Sequence, residues 1–175
     1  SAYSWSSSAT CILHHSCIPV FVDIDFNSIN MDVNKLEAAI TPKTKAIIVV
    51  HLHGLPVQMD KVMAVAKKHN IKVIEDACQA HGAKFNGKKV GTIGHCGAFS
   101  FNQNKCLCSG EGGMFVTQDS QLHERVLTLS NHGRARGQAH VHAADLGVAV
   151  AAALEWQPVA LADELGNERR LRPVI

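Results

Sequence analysis

The sequence predicts an α/β fold: three layers, with a mainly parallel sheet flanked by helices. Two observations lead there. Nearly continuous apolar runs at 18–25, 45–54 and 71–77 have the composition of strands buried on both faces. Helix-like segments at 32–40 and 59–70 lie between them. Parallel strands need a crossover long enough for a helix, so this alternation favours parallel pairing.

The elements follow in order. "IPVFVDID" (18–25) reads as a buried strand ending in acids. "DVNKLEAAI" (32–40) reads as a helix capped by Asp32, whose carboxylate can accept from the free N–H groups of the first turn. "TPK" begins a turn, and "KAIIVVHLHG" (45–54) is a second strand. "MDKVMAVAKKHN" (59–70) carries Met59, Val62, Met63 and Ala66 at helical period and closes on Lys67, Lys68, His69 and Asn70. "IKVIEDA" (71–77) is a third strand. The rhythm then changes, with eight glycines from Gly82 to Gly113 and short strands at 97–101 and 112–117. A helix at 119–133 starts acidic and ends in His-Gly. The tail is Ala-rich, expected to be helical, and interrupted by Pro158. No internal repeat is present.

Composition narrows the function classes. The chain has 175 residues, enough for one sizeable core, and a net charge of +2. That balance gives no pull toward nucleic acid or an anionic membrane. No apolar run reaches the ~18 residues of a membrane span. The N-terminus has neither a basic signal-peptide region nor an initiator Met. The six cysteines, at 11, 17, 78, 96, 106 and 108, form no CxxC pair. They read as reduced thiols of a cytoplasmic protein. Eleven histidines invite a metal reading, but His14/His15 and His51/His53 lack i, i+4 spacing, so no metal site is expected.

Two motifs come close to nucleotide-binding patterns and fail. "GAKFNGKK" (82–89) resembles a phosphate loop but has Lys89 where a magnesium-binding hydroxyl belongs. "GKKVGTIG" (87–94) is no dinucleotide fingerprint. Both read as turn glycines in a surface excursion.

Glu75–Asp76 is more informative. It closes an apolar strand, so it lies at the sheet edge where α/β proteins place ligands. Taken alone, an acid there would more often cap the next helix. Gln79 follows one helical turn later, Ser100 ends a short strand, and Lys105 sits on the loop beyond. A desolvated lysine amine can form a Schiff base. A pyridoxal cofactor needs a carboxylate at its ring nitrogen, a donor to its phenolate oxygen, and hydroxyls or amides for its phosphate. Asp76, Gln79, Ser100 and Lys105 supply these kinds of group, as unrelated surface residues could also do.

The run "VIEDACQAHGA…GKKVGTIG…GAFSFNQNKCLCSGEGGMFVT…NHGR" (73–134) resembles the DegT/DnrJ/StrS family of pyridoxal-phosphate sugar aminotransferases. "PVFVDID", "ITPKTKAIIVVHLHGLPVQMD" and "VAKKHN" fit the same family. The likeness covers roughly residues 1–134 and implies part of the large cofactor-binding domain of fold type I enzymes, followed by a diverged helical tail at 135–175. It implies that Lys105 forms the internal aldimine and shuttles the proton. Asp76 would pair with the ring nitrogen, Gln79 with the phenolate side, and Ser100 with the phosphate. Trp5, in "YSW", would stack on the ring; a core Trp is the equal alternative. The implied reaction aminates a keto-sugar, often nucleotide-linked, or a keto-cyclitol, with glutamate or glutamine as amino donor.

The chain departs from the family pattern. An upstream phosphate-binding turn and a C-terminal domain lie outside it, and Ala149 and Ala151 replace the family's Asn and Arg. The resemblance implies a homodimer for the full-length relative, and those replacements argue against a shared site here. The alternatives are a non-catalytic or regulatory cofactor-binding remnant and a sugar dehydratase. The dehydratases carry His where this chain has Lys105, which argues for transamination.

Overall fold

In the computed structural model, the structure describes residues 1–130 and the backbone of Ala151–Ala152. The chain forms α1 (Ser7–Leu13), α2 (Val33–Leu36), β1 (Ala46–Val50), α3 (Met59–His69), β2 (Lys72–Asp76), β3 (Lys84–Phe85), β4 (Lys88–Lys89), β5 (Cys96–Ser100), β6 (Gly113–Thr117), α4 (Ser120–Ser130) and β7 (Ala151–Ala152). The main sheet has the order β1-β2-β5-β6-β7. Its centre, β1-β2-β5, is parallel, while β6 and β7 add antiparallel strands. β3 and β4 form a separate hairpin.

The period of two along each strand separates two cores. Ile47, Val49 and Val73 face Met59, Val62 and Ala66 of α3. Ala46, Ile48 and Ile74 face the other way, with Cys96 and Phe115 against Leu122, Val126 and Leu127 of α4. One helix therefore covers each side, as expected for three layers. Met59 and Val62 are fully buried, and burial of such side chains contributes about 1.5–3 kcal/mol each.

The ends of the elements follow from their caps. Asp32 accepts from the Asn34 N–H at 3.0 Å, and α2 then tightens into a 3-10 turn at Glu37–Ala39. α3 stops at Asn70, which is left-handed (φ 52°), a conformation Asn tolerates. Asp119 accepts from the Gln121 and Leu122 N–H groups and starts α4.

Three expectations need correction. Residues 18–25 are not a buried strand: only Ile24 makes a bridge, to Met31, and Ile18, Val20 and Phe21 are exposed. An apolar run becomes a strand only where another strand offers its hydrogen bonds. In the tail, Ala151–Ala152 pair with Phe115 and Met114 as a strand, not a helix; the rest of 135–175, and 131–133 of the expected last helix, lie outside the described residues. The glycines at 91 and 94 do not belong to a surface excursion. Val90 and Gly91 are buried, and the segment folds against Glu75.

That packing explains one glycine directly. A Cβ on Gly97 of β5 would collide with the carbonyl and Cα of Gly91. The close approach seats the 91–94 segment on the sheet.

Candidate active site

Parallel register brings the sequence-predicted residues to one edge. Val50, Asp76 and Ala98 are paired across β1, β2 and β5. Ser100, two residues beyond Ala98, shares the face of Asp76 at the C-terminal ends of the strands. Lys105 follows on the loop between β5 and β6, where it is half-buried.

Asp76 is held from two sides. Ser8 Oγ, on α1, donates to Oδ2 at 2.8 Å, and the Cys78 N–H donates to Oδ1 at 3.2 Å. The second bond is the local turn that a strand-end acid makes for itself. The first comes from 68 residues away and is the contact that sequence reasoning missed. Ser8 is one of three consecutive serines, and nothing in their pattern distinguishes it. Burial first, and then the Asp76 charge, push the Cys78 thiol up, while the Lys105 ammonium acts in the opposite direction.

Gln79 Oε1 accepts from the His53 N–H at 2.9 Å. A backbone N–H can only donate, so the amide oxygen faces the turn and the NH2 group is left for the site. Ser100 Oγ accepts from the Asn102 N–H at 3.3 Å, which leaves its hydroxyl proton able to turn toward an anion. Trp5 lies one turn before Ser8 and is 72% exposed.

The lysine loop is closed by its own side chains. Asn102 Nδ2 donates to both Glu111 carboxylate oxygens, at 2.8 and 3.0 Å, and the Lys105 N–H donates to the Asn102 carbonyl at 2.9 Å. The Ser109 N–H donates to the Phe101 carbonyl, and Phe101 N–H to that of Gly112. Gly112 has a φ of 155°, which side-chain-bearing residues rarely adopt, so the turn favours a glycine there. Asn102 therefore shapes the loop. Cys106 and Cys108 are exposed, and Cys106 Sγ lies 3.5 Å from His81 Nδ1.

Behind the edge, on the opposite sheet face, Glu75 is completely buried. It accepts from Gly91 N–H at 2.7 Å and Ile93 N–H at 2.6 Å, as well as from Gly94 N–H and His51 Nε2. Burial raises its proton affinity, but the His51, Gly94 and Gly91 hydrogen bonds outweigh it and hold the carboxyl below its usual range. Adjacent acids thus have separate tasks: Glu75 ties the fold together, and Asp76 faces the site.

A braced carboxylate and a loop lysine lie at the C-terminal strand edge, where this architecture places small-molecule sites. The comparisons with known proteins make the assignment specific. The DegT/DnrJ/EryC1/StrS aminotransferase family matches residues 1–159, and the chain belongs to that family. It is 48% identical over 132 residues to a UDP-N-acetyl-3-dehydro-alpha-D-glucosamine 3-aminotransferase of Acidithiobacillus ferrooxidans, covering 75% of this chain and 36% of that protein. It is 42% identical over 172 residues to an L-glutamine:2-deoxy-scyllo-inosose aminotransferase of Streptomyces kanamyceticus, covering 94% and 40%. An aminotransferase structure from Psychrobacter cryohalolentis superposes with a TM-score of 0.75 at 35% identity, covering 93% of this chain and 43% of that one. An E. coli GDP-4-keto-6-deoxy-D-mannose-3-dehydratase with bound hydrated PLP gives 0.71 at 36% identity, covering 75% and 34%. The chain spans well under half the length of each of these relatives.

Proposed function

We propose that the chain is the cofactor-binding part of a pyridoxal-phosphate-dependent aminotransferase. Residues 1–134 carry the cofactor domain and 135–175 the diverged tail. The amino acceptor is a keto-sugar, often nucleotide-linked, or a keto-cyclitol, and glutamate or glutamine is the donor. Relatives acting on both acceptor classes support this range.

The observation that carries the reading is the bracing of Asp76 at the strand edge beside the Lys105 loop. The donor set fits the cofactor. Asp76 offers a carboxylate where a ring nitrogen must hold its proton. Gln79 offers an N–H donor to a phenolate oxygen, Ser100 a hydroxyl to the phosphate, and Trp5 an exposed ring for stacking. When bound, pyridoxal phosphate supplies an electron sink for the charge left when a proton leaves the amino acid's α carbon. Lys105 Nζ would hold the cofactor through its amine and, with that amine free, would take and return the proton as general base and acid.

A dehydratase is the second reading, favoured by the solved relative of that activity. Lys105 argues for transamination, since a primary amine can carry the cofactor between half-reactions. The test is titration of the chain with pyridoxal phosphate. The reading expects a new visible absorbance band that Lys105→Ala abolishes. An unchanged band in Lys105→Ala removes the lysine assignment.

A further inference from the structure

The turn behind Gln79 is held more firmly than a surface turn requires. Residues 52–54 form a single 3-10 turn, with His53 left-handed (φ 51°, ψ 27°). That conformation is uncommon for a residue other than glycine and persists only when its surroundings impose it. Asn30, buried at 3% exposure, does so from one side. Its Oδ1 accepts from the Leu52 N–H at 3.0 Å and its Nδ2 donates to the Leu55 carbonyl at 2.9 Å, so one amide spans both ends of the turn.

His51 holds the turn from the other side. Its backbone N–H donates to the Asp76 carbonyl at 3.0 Å. Val57 N–H donates to Nδ1 at 3.1 Å, so Nδ1 carries no proton. Nε2 then bears the hydrogen and donates to Glu75 Oε2 at 3.0 Å. Both ring nitrogens and the main chain of a fully buried histidine are therefore committed immediately before the turn. The turn's outward product is the His53 N–H, which meets Gln79 Oε1.

We propose that Asn30 and the His51–Glu75 pair are positioning residues that set the polarity of the Gln79 amide, so that Gln79 presents NH2 rather than C=O to the cofactor. The inference rests on the cofactor reading above. A freely rotating Gln79 would present its carbonyl part of the time, and a carbonyl facing a phenolate oxygen is repulsive. With the His53 N–H fixed, the amide has one favourable orientation. The donor then stabilises negative charge on the phenolate oxygen and lowers the proton affinity of the conjugated Schiff-base nitrogen.

The test uses the full chain in two states. Without cofactor, hydrogen exchange at backbone amides 52–55 is compared between the unaltered protein and Asn30→Asp, which keeps the acceptor for Leu52 but loses the donor to Leu55. With pyridoxal phosphate, the pH midpoint of the visible band is measured for the unaltered protein, Asn30→Asp, Gln79→Glu and the double variant. The carboxylate introduced by Gln79→Glu can still accept from the His53 N–H but has no proton to donate. The expected results are at least tenfold faster exchange confined to the turn, and midpoints raised by about half a unit or more in both single variants. The double variant should show no shift beyond that of Gln79→Glu. A loosened turn with an unmoved midpoint overturns the inference, as do additive shifts. If Asn30→Asp exchanges fast throughout, Gln79→Glu decides alone: an unmoved midpoint overturns it. No visible band in the unaltered chain instead fails the cofactor reading.

Discussion

Ser8 and Asp76 are joined by a 2.8 Å hydrogen bond that ties α1 to the end of the central strand. Asp76 thereby presents a fixed carboxylate rather than a mobile one. A hydrogen bond to a charged group is worth about 1.5–3 kcal/mol. Ser8→Ala is expected to weaken pyridoxal phosphate binding roughly tenfold or more and to lower the thermal midpoint by several degrees. Asp76→Ala should weaken cofactor binding further than Ser8→Ala does. Fluorescence titration of the cofactor checks the first; an unchanged affinity in Ser8→Ala separates α1 from the site.

Glu75 should control stability as well as the turn that His51 holds behind Gln79. In Glu75→Gln an NH2 group must face donors, and breaking such a buried pair costs about 3–5 kcal/mol. The pH dependence has a definite sign. Because the folded carboxyl sits below the usual 4.5, its contribution is full above that value and is lost as pH falls toward the lower folded value. Denaturant unfolding from pH 7 to 3 should show this acid loss in the unaltered chain and a smaller one in Glu75→Gln.

Gly97→Ala drives a methyl group into the backbone of Gly91. The cost is expected to be about 3 kcal/mol, read as a lower urea midpoint. Gly87→Ala has open space around its Cβ but a positive φ of 81°, so its cost should be smaller, about 1 kcal/mol.

Thiol chemistry separates the cysteines. Cys106 and Cys108 are exposed. Burial, and then the Asp76 charge, push Cys11 up to about 11; burial, and then the Glu75 charge, push Cys96 up to about 12. Since the thiolate is the nucleophile, a disulfide reagent at pH 8 should modify Cys106 and Cys108 first. Replacing both by Ser should remove the fast phase.

The parts legible in the sequence were those decided locally. β1, α3 and β2 follow from apolar runs and helical period, and their ends from Asn70 and the acids. The proposed site residues Asp76, Gln79, Ser100 and Lys105 lie within 30 positions, so the proposal could be framed along the chain. What was not legible depends on distant partners. Residues 18–25 have strand composition, but their pairing depends on other chain segments. Ser8 looks like its neighbours until it meets Asp76. Glu75 looks like a second solvent acid, and only the folded 91–94 segment shows its four donors. Asn30 and His51 carry no motif, because their task is to hold a turn.

The most direct measurement is chemical trapping on Lys105. The chain is incubated with pyridoxal phosphate, reduced with borohydride, digested, and mapped by mass spectrometry. A pyridoxyl adduct is expected on the peptide containing Lys105, and none in Lys105→Ala. An adduct spread over surface lysines such as Lys67, Lys68 and Lys84, with Lys105 unlabelled, would contradict it.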